Sequence, residues 1–230
     1  GGVSAAALAA AGGLTLGGLV RSVEAAPVAP GLGFPGIGFD SVPASIAPVA
    51  DAVTVPVGYS AQVFVAWGDP IMPGGAPFIG DASESALEQA RQFGEHNDGM
   101  HFFPFKDANG DLTSDAGVLC VNNEYTHEEI LYTDGQGGSG YTIAKTRKSQ
   151  TAHGVSIVEA RRSAGKWRVD RNSKYGRRIT ANTPVVIAGP AAGHALMQTN
   201  EYVITDTGSI PTGNVTDGHS GYGTVNNCAH

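Results

Sequence analysis

Charge is scarce in this chain: Asp, Glu, Lys and Arg make up only 15% of its 230 residues. Cysteine occurs twice, which excludes a disulfide scaffold. Lys and Arg number 14 against 21 Asp and Glu, a net charge of −7. That is the wrong sign for a mainly nucleic-acid-binding protein. No GxSxG, Walker loop, HExxH or CxxC occurs. Glycine and proline are plentiful instead, at 33 and 13, or one residue in five. This lies below the ~25–30% that marks low-complexity disorder, yet it is rich for a helical protein. With 41% hydrophobic residues the chain can build a core. A coiled coil, a helix bundle, a collagen and a fully disordered chain are all excluded.

Residues 1–20 carry no charge and are dominated by Gly and Ala. Such a run is too weakly hydrophobic for a stable membrane anchor. It reads as the apolar part of a secretory signal of the twin-arginine type, its start missing, with small residues near Val23–Ala26 for cleavage. Residues 1–26 are therefore set apart as a signal remnant, with a membrane anchor or tail as the alternative. The mature protein is expected to be periplasmic or extracellular, with the export machinery as a transient partner. One disulfide is open in that setting, although Cys120 lies in an apolar stretch that suits a buried thiol.

Residues 27–50 are rich in Pro, Gly and Ala and read as an extended lead-in. Residues 51–67 alternate and read as a strand broken at Pro56-Val57-Gly58. One short helix is expected near 82–93, capped by Ser83 or Ser85. Short β-like runs follow at Met100–Phe105, Gly117–Asn122, Gly154–Arg161, Lys166–Arg171, Pro184–Ala188, Tyr202–Asp206 and Gly223–Val225. Asp107–Asp111 forms a turn signal between the first two. Many short strands with Gly-rich turns indicate a mainly β sandwich, barrel or propeller. Charge is uneven. Lys145–Arg178 holds eleven Lys/Arg and two acids, which reads as an anion-attracting face or as solvated strands. Residues 81–134 hold twelve acids, a composition that suits calcium.

Four constellations could carry chemistry. Phe93-Gly-Glu-His-Asn97-Asp98-Gly-Met-His-Phe-Phe-Pro104 offers oxygen ligands at a tight turn, with Phe102, Phe103 and Phe105 as anchors. Gly117–Glu129 runs an apolar strand into Asn122-Asn123-Glu124, with His127 in reach. Glu124 stands at a strand end, where rigid backbone can hold a metal ligand or a base. His153, in Thr-Ala-His-Gly, joins a polar turn to an apolar strand. Cys228, in Asn-Asn-Cys-Ala-His, could bind a transition metal with its neighbouring His or form a nucleophile pair with it.

In this order the segments FGEHNDGMHFFPF, GVLCVNNEYTHEE, TAHGVSIVE and GTVNNCAH resemble the PhoX-type alkaline phosphatase family, over roughly residues 58–230. The resemblance implies part of a six-bladed β-propeller with an iron and calcium active site, exported by the twin-arginine route. It implies hydrolysis of phosphomonoesters to release inorganic phosphate. Cys228 matches the family's iron-binding cysteine, and Glu124 its metal-ligating carboxylate. Asn97, Asp98 and His153 carry over as metal-neighbouring groups. Family members commonly show Asn-His-Glu-Tyr where this chain has Asn122-Asn123-Glu124-Tyr125, so the family role of position 123 does not transfer. Family chains are much longer and continue past Cys-Ala-His with further carboxylates. A full propeller at about 40–45 residues per blade needs more chain than residues 27–230 supply. The segment therefore reads as the N-terminal part of a phosphatase, inactive by itself. The alternatives are a calcium-dependent lactonase-like propeller hydrolase and a non-catalytic secreted β-repeat module.

Overall fold

The computed structural model describes residues 40–42, 53–135, 140–205 and 208–228. The expected signal remnant and most of the lead-in lie outside them. Two compact units are present, Gly1–Val63 and Phe64–His230. In the first, residues 53–63 contain no strand, and the Tyr59 N–H closes a turn onto the Pro56 carbonyl at 3.0 Å. The strand expected over 51–67 is therefore absent from its described part. Alternation there is overridden by Pro56, which withholds a donor, and by the turn at Val57-Gly58.

The second unit is mainly β. Its main sheet consists of β1 (Asn97–Lys106), β2 (Leu112–Asn123), β3 (Gly154–Ser163) and β4 (Lys166–Asp170), antiparallel in that spatial order. A short β5 (Arg177–Ile179) pairs with the beginning of β3. Pro104 is tolerated because β1 is an edge strand. Asp107 closes the β1–β2 turn, its Oδ1 accepting from the N–H groups of Asn109 at 2.8 Å and Asp111 at 3.0 Å. Two smaller antiparallel sheets follow, β6 (Pro184–Val186) with β9 (Ser220–Tyr222), and β7 (Asn200–Thr205) with β8 (Gly208–Val215).

Period-two alternation sorts β2: Leu119, Val121 and Asn123 turn inward, opposite Val158, Ser156 and Gly154 of β3. Ile71, Phe93, Val121 and Val158 form the core, with Leu119, Val169 and Met72 packed around it. β3 is buried almost continuously from Gly154 to Ala160, as a central strand covered on both faces must be. Phe102 and Phe105 find aromatic partners in Trp167 and Tyr175. Phe103 points to solvent and is 52% exposed, so it anchors nothing.

The helix expected near 82–93 is a single turn, α1 (Ala86–Gln89), closed by a reciprocal capping box between Ser85 and Glu88. Among the described residues the longest helix is instead α3 (Ile143–Ala152), capped by Thr142, with the one-turn α2 (Glu128–Leu131) before it. α3 has no apolar stripe. It buries Arg147, Lys148, Thr151 and Ala152, so hydrophobic periodicity gives no sign of it. The Arg147 guanidinium reaches Gln150 and Asn182, and Lys148 donates to the Ala82 carbonyl at 2.7 Å. Part of the basic segment is thus structural, while Arg161, Arg162, Lys166, Arg168 and Arg171 remain exposed. β5 and β8 are strands the sequence reading missed, and the run at Gly223–Val225 is not a strand: β9 ends just before it.

Candidate metal centre

Antiparallel pairing brings the beginning of β1 beside the end of β2, with Asn97 opposite Asn123. The chain leaving β2 is tied to the chain entering β1 by the Glu124 N–H, which donates to the His96 carbonyl at 2.9 Å. Residues 95–98 and 122–127 therefore share one end of the hairpin. The C-terminal segment reaches the same end, where the Asn122 side-chain amide donates to the Cys228 carbonyl at 3.4 Å.

Asp98, Glu124 and Cys228 converge there, with ligand atoms within 4.8 Å of one another. Two carboxylates and a thiol suit an ion that accepts sulfur together with oxygen, as iron does. They fit calcium less well, because calcium takes 6–8 oxygen ligands. Four other acids of the acidic segment are committed elsewhere. Glu88 caps α1, Glu84 faces Lys148, Asp134 pairs with Lys145, and Asp107 closes the turn at the far end of the hairpin. Asn97 is committed as well, its Oδ1 accepting from Asn123 at 2.8 Å. No disulfide joins Cys120 to Cys228, and burial raises the Cys120 thiol pKa.

A second convergence lies beside the first. Glu95, His96 and His127 bring one carboxylate and two imidazoles together. His96 Nε2 and His127 Nδ1 share a hydrogen bond of 2.6 Å. Glu95 Oε1 lies 3.3 Å from that Nδ1 and accepts the His127 backbone N–H at 3.0 Å. Burial raises the Glu95 pKa, against the lowering effect of His127. Burial, and then the neighbouring His127, lower that of His96. Tyr125 stacks on the His96 ring, with centroids 3.6 Å apart.

His153 supplies no ligand atom to either triad, but it lies near enough to His96 to help lower that ring's pKa, after burial and His127. It ends α3, with its Nδ1 2.7 Å from the Ser149 carbonyl. Asn123 is fully buried and turned away from Glu124, toward Ser156 and Arg178. Sequence reasoning missed Glu95 and His96 as site residues. The available signal was a carboxylate and an imidazole side by side immediately before the Asn97-Asp98 turn.

The family model for the alkaline phosphatase PhoX matches residues 38–230. Among solved structures the chain is similar to Pseudomonas fluorescens PhoX in complex with vanadate, a transition-state analogue, at 36% identity and a TM-score of 0.68. That match covers 84% of this chain and 29% of the other, so the chain spans less than a third of the length of the protein it matches. No curated protein matches it. A family match over more than half the chain, together with a mainly β body that superposes on part of a propeller, establishes that the chain belongs to the PhoX alkaline phosphatase family.

Proposed function

We propose that this chain forms part of an exported, metal-dependent alkaline phosphatase that hydrolyses phosphomonoesters and releases inorganic phosphate. The observation that carries the reading is the meeting of Asp98, Glu124 and Cys228 at one hairpin end, in a chain of this family. Asp98, Glu124 and Cys228 would hold an iron ion, which would supply Lewis-acid charge toward a phosphoryl oxygen. The chain's own part is to fix that ion rigidly. Asp98 lies on β1, Glu124 directly follows β2, and Cys228 is tethered through Asn122. Phosphoryl transfer rests mainly on positioning and electrostatics, so a rigid frame is the appropriate contribution. Calcium is assigned to ligands from the remainder of the longer enzyme, given that the match spans 29% of its relative.

Residues 1–26 are read as a twin-arginine export signal and the enzyme as periplasmic or extracellular. Among the described residues no helix is long and apolar enough to cross a membrane. Cell fractionation with and without residues 1–26 tests this, and cytoplasmic retention of both forms refutes it.

The catalytic test uses the full-length enzyme with p-nitrophenyl phosphate. Cys228→Ala is expected to lower both iron content and turnover by more than about 100-fold, beyond the roughly 10–100-fold that loss of a supporting residue costs. Unchanged iron and turnover in this variant would show that Cys228 is not a ligand. The lactonase-like reading and the non-catalytic reading have no observation in their favour.

A further inference from the structure

We propose that Glu95, His96 and His127 form a separate metal site of zinc type, built from two imidazoles and one carboxylate beside the thiolate-containing cluster. The three ligand atoms make a compact triangle. His96 Nε2 and His127 Nδ1 are 2.6 Å apart, His127 Nδ1 and Glu95 Oε1 are 3.3 Å apart, and His96 Nε2 and Glu95 Oε1 are 4.0 Å apart. Their separations average about 3.3 Å, the spacing of ligand atoms around a tetrahedral ion with bonds of roughly 2.0 Å, so small ring rotations seat zinc among them.

Proton counting favours a cation at that point. All three atoms carry lone pairs directed into one small space. With both imidazoles neutral, a proton between the two nitrogens satisfies one contact only. If His127 donates that proton to His96, Glu95 Oε1 is left to share it at 3.3 Å. If His96 donates it, the His127 and Glu95 lone pairs face each other. A metal ion accepts all three at once.

The carboxylate supplies an independent sign. Glu95 is 6% exposed, and its Oε2 is buried with no hydrogen-bond partner. Among the described residues its ion-pair contacts are to His96 and His127 alone. A buried carboxylate lacking both a full set of hydrogen bonds and a permanent countercharge is costly, and a divalent cation removes that cost.

The frame holds the ligands in place. His96 has φ +47°, in the left-handed region, and its ring is clamped against Tyr125. His127 stands at the N-cap position of α2 yet makes no side-chain cap bond, because its ring turns to Glu95 and His96. The His127 side chain is 56% exposed, so the site opens to solvent on that side. Three protein ligands with one open side is the arrangement of a zinc site that keeps a position for water or another ligand. All three lie within the motif segments FGEHNDGMHFFPF and GVLCVNNEYTHEE, but none is assigned a role there and none belongs to the triad of Asp98, Glu124 and Cys228.

The test is metal titration of the full-length protein after chelator treatment, with Co2+ as a spectroscopic substitute for Zn2+. A Cys228→Ser background removes the thiolate of the neighbouring cluster, and the readout does not depend on phosphatase activity. In that background, one equivalent of Co2+ is expected to bind with visible d–d bands and no sulfur charge-transfer band, and Zn2+ is expected to displace it. His127→Ala is expected to weaken that equivalent by at least about 100-fold. Its exposed position lets it fold, which circular dichroism checks. Glu95→Gln, which keeps shape and removes charge, is expected to weaken binding in the same direction. Co2+ stoichiometry and affinity unaffected by both variants would overturn the proposal, as would the absence of a sulfur-free equivalent in the Cys228→Ser background.

Discussion

Arg178 shows how a single side chain supports the site without belonging to it. It is buried and has no carboxylate partner among its hydrogen bonds. Its guanidinium donates instead to Asn123 Oδ1, to Ser156 Oγ and to the carbonyls of Thr151, Ala152 and His153. Those carbonyls belong to the end of α3, where a positive charge also meets the negative end of the helix dipole. Burial lowers its pKa to about 9, still above neutrality, so the side chain remains charged. One residue thereby ties the end of β2, the beginning of β3 and the end of α3 together. Arg178→Met would leave several buried oxygens unsatisfied at about 1–3 kcal/mol each, and a large drop in the urea midpoint is expected. Gly94 belongs to the same arrangement. A Cβ there would overlap Arg178 and Asn123, so Gly94→Ala is expected to cost about 1–3 kcal/mol in urea unfolding. A replacement that leaves the midpoint unchanged would show that the cluster can yield. Position 123 is thus a structural anchor in this chain.

At the scale of elements, α3 is the instructive case. Its sequence, Ile-Ala-Lys-Thr-Arg-Lys-Ser-Gln-Thr-Ala, has no apolar stripe, and its helical state depends on partners elsewhere in the chain. Local chemistry supplies the cap, since Thr142 accepts the Lys145 N–H. Thr142→Ala is expected to cost about 1 kcal/mol in urea unfolding. Tyr132 clamps the same helix by donating to the Lys145 carbonyl at 2.9 Å. Burial raises the phenol pKa from 10.0 to about 12. The folded protein then keeps a proton that the unfolded chain loses, so this group's stability contribution is full below pH 10 and falls as pH rises from 10 toward 12. A loss of about 2–3 kcal/mol across that window follows from ~1.36 kcal/mol per unit. Tyr132→Phe is expected to flatten this alkaline loss, read from urea midpoints against pH, and an identical alkaline slope in both proteins would refute the assignment. The strands β1 to β4 were legible because alternation and turn chemistry are local, and Asp107–Asp111 marks its own turn. β5 was not: three residues of Arg-Arg-Ile carry no pattern, and only pairing with β3 makes them a strand.

At the scale of the molecule, the site end of the hairpin collects residues from distant parts of the chain. Asn122 and Cys228 are 106 positions apart, and His96 and His127 are 31 apart. Cys120 sits within β2, paired with His101 and Ile157, and forms no bond with Cys228. Both cysteines are therefore expected to alkylate in denatured, unreduced protein, as read by mass spectrometry of their peptides. A Cys120–Cys228 linked peptide would contradict this arrangement. The small sheets β6–β9 and β7–β8 leave Val186, Leu196 and Val215 widely exposed. The match covers 29% of the Pseudomonas fluorescens PhoX chain.

The amino-acid sequence by itself determined the mainly β class, the hairpin and its turn, the family motifs, and the positions of Glu124 and Cys228 within them. Each of these is written in neighbouring residues, through alternation, turn chemistry or a short motif. Only the tertiary structure decided that Asp98 joins Glu124 and Cys228, that Asn123 serves the frame, and that Glu95 and His96 meet His127. The physical reason is that these outcomes depend on which surfaces pack together. Strand pairing and the buried bonds of Arg178 bring together residues whose separation along the chain carries no periodic signal.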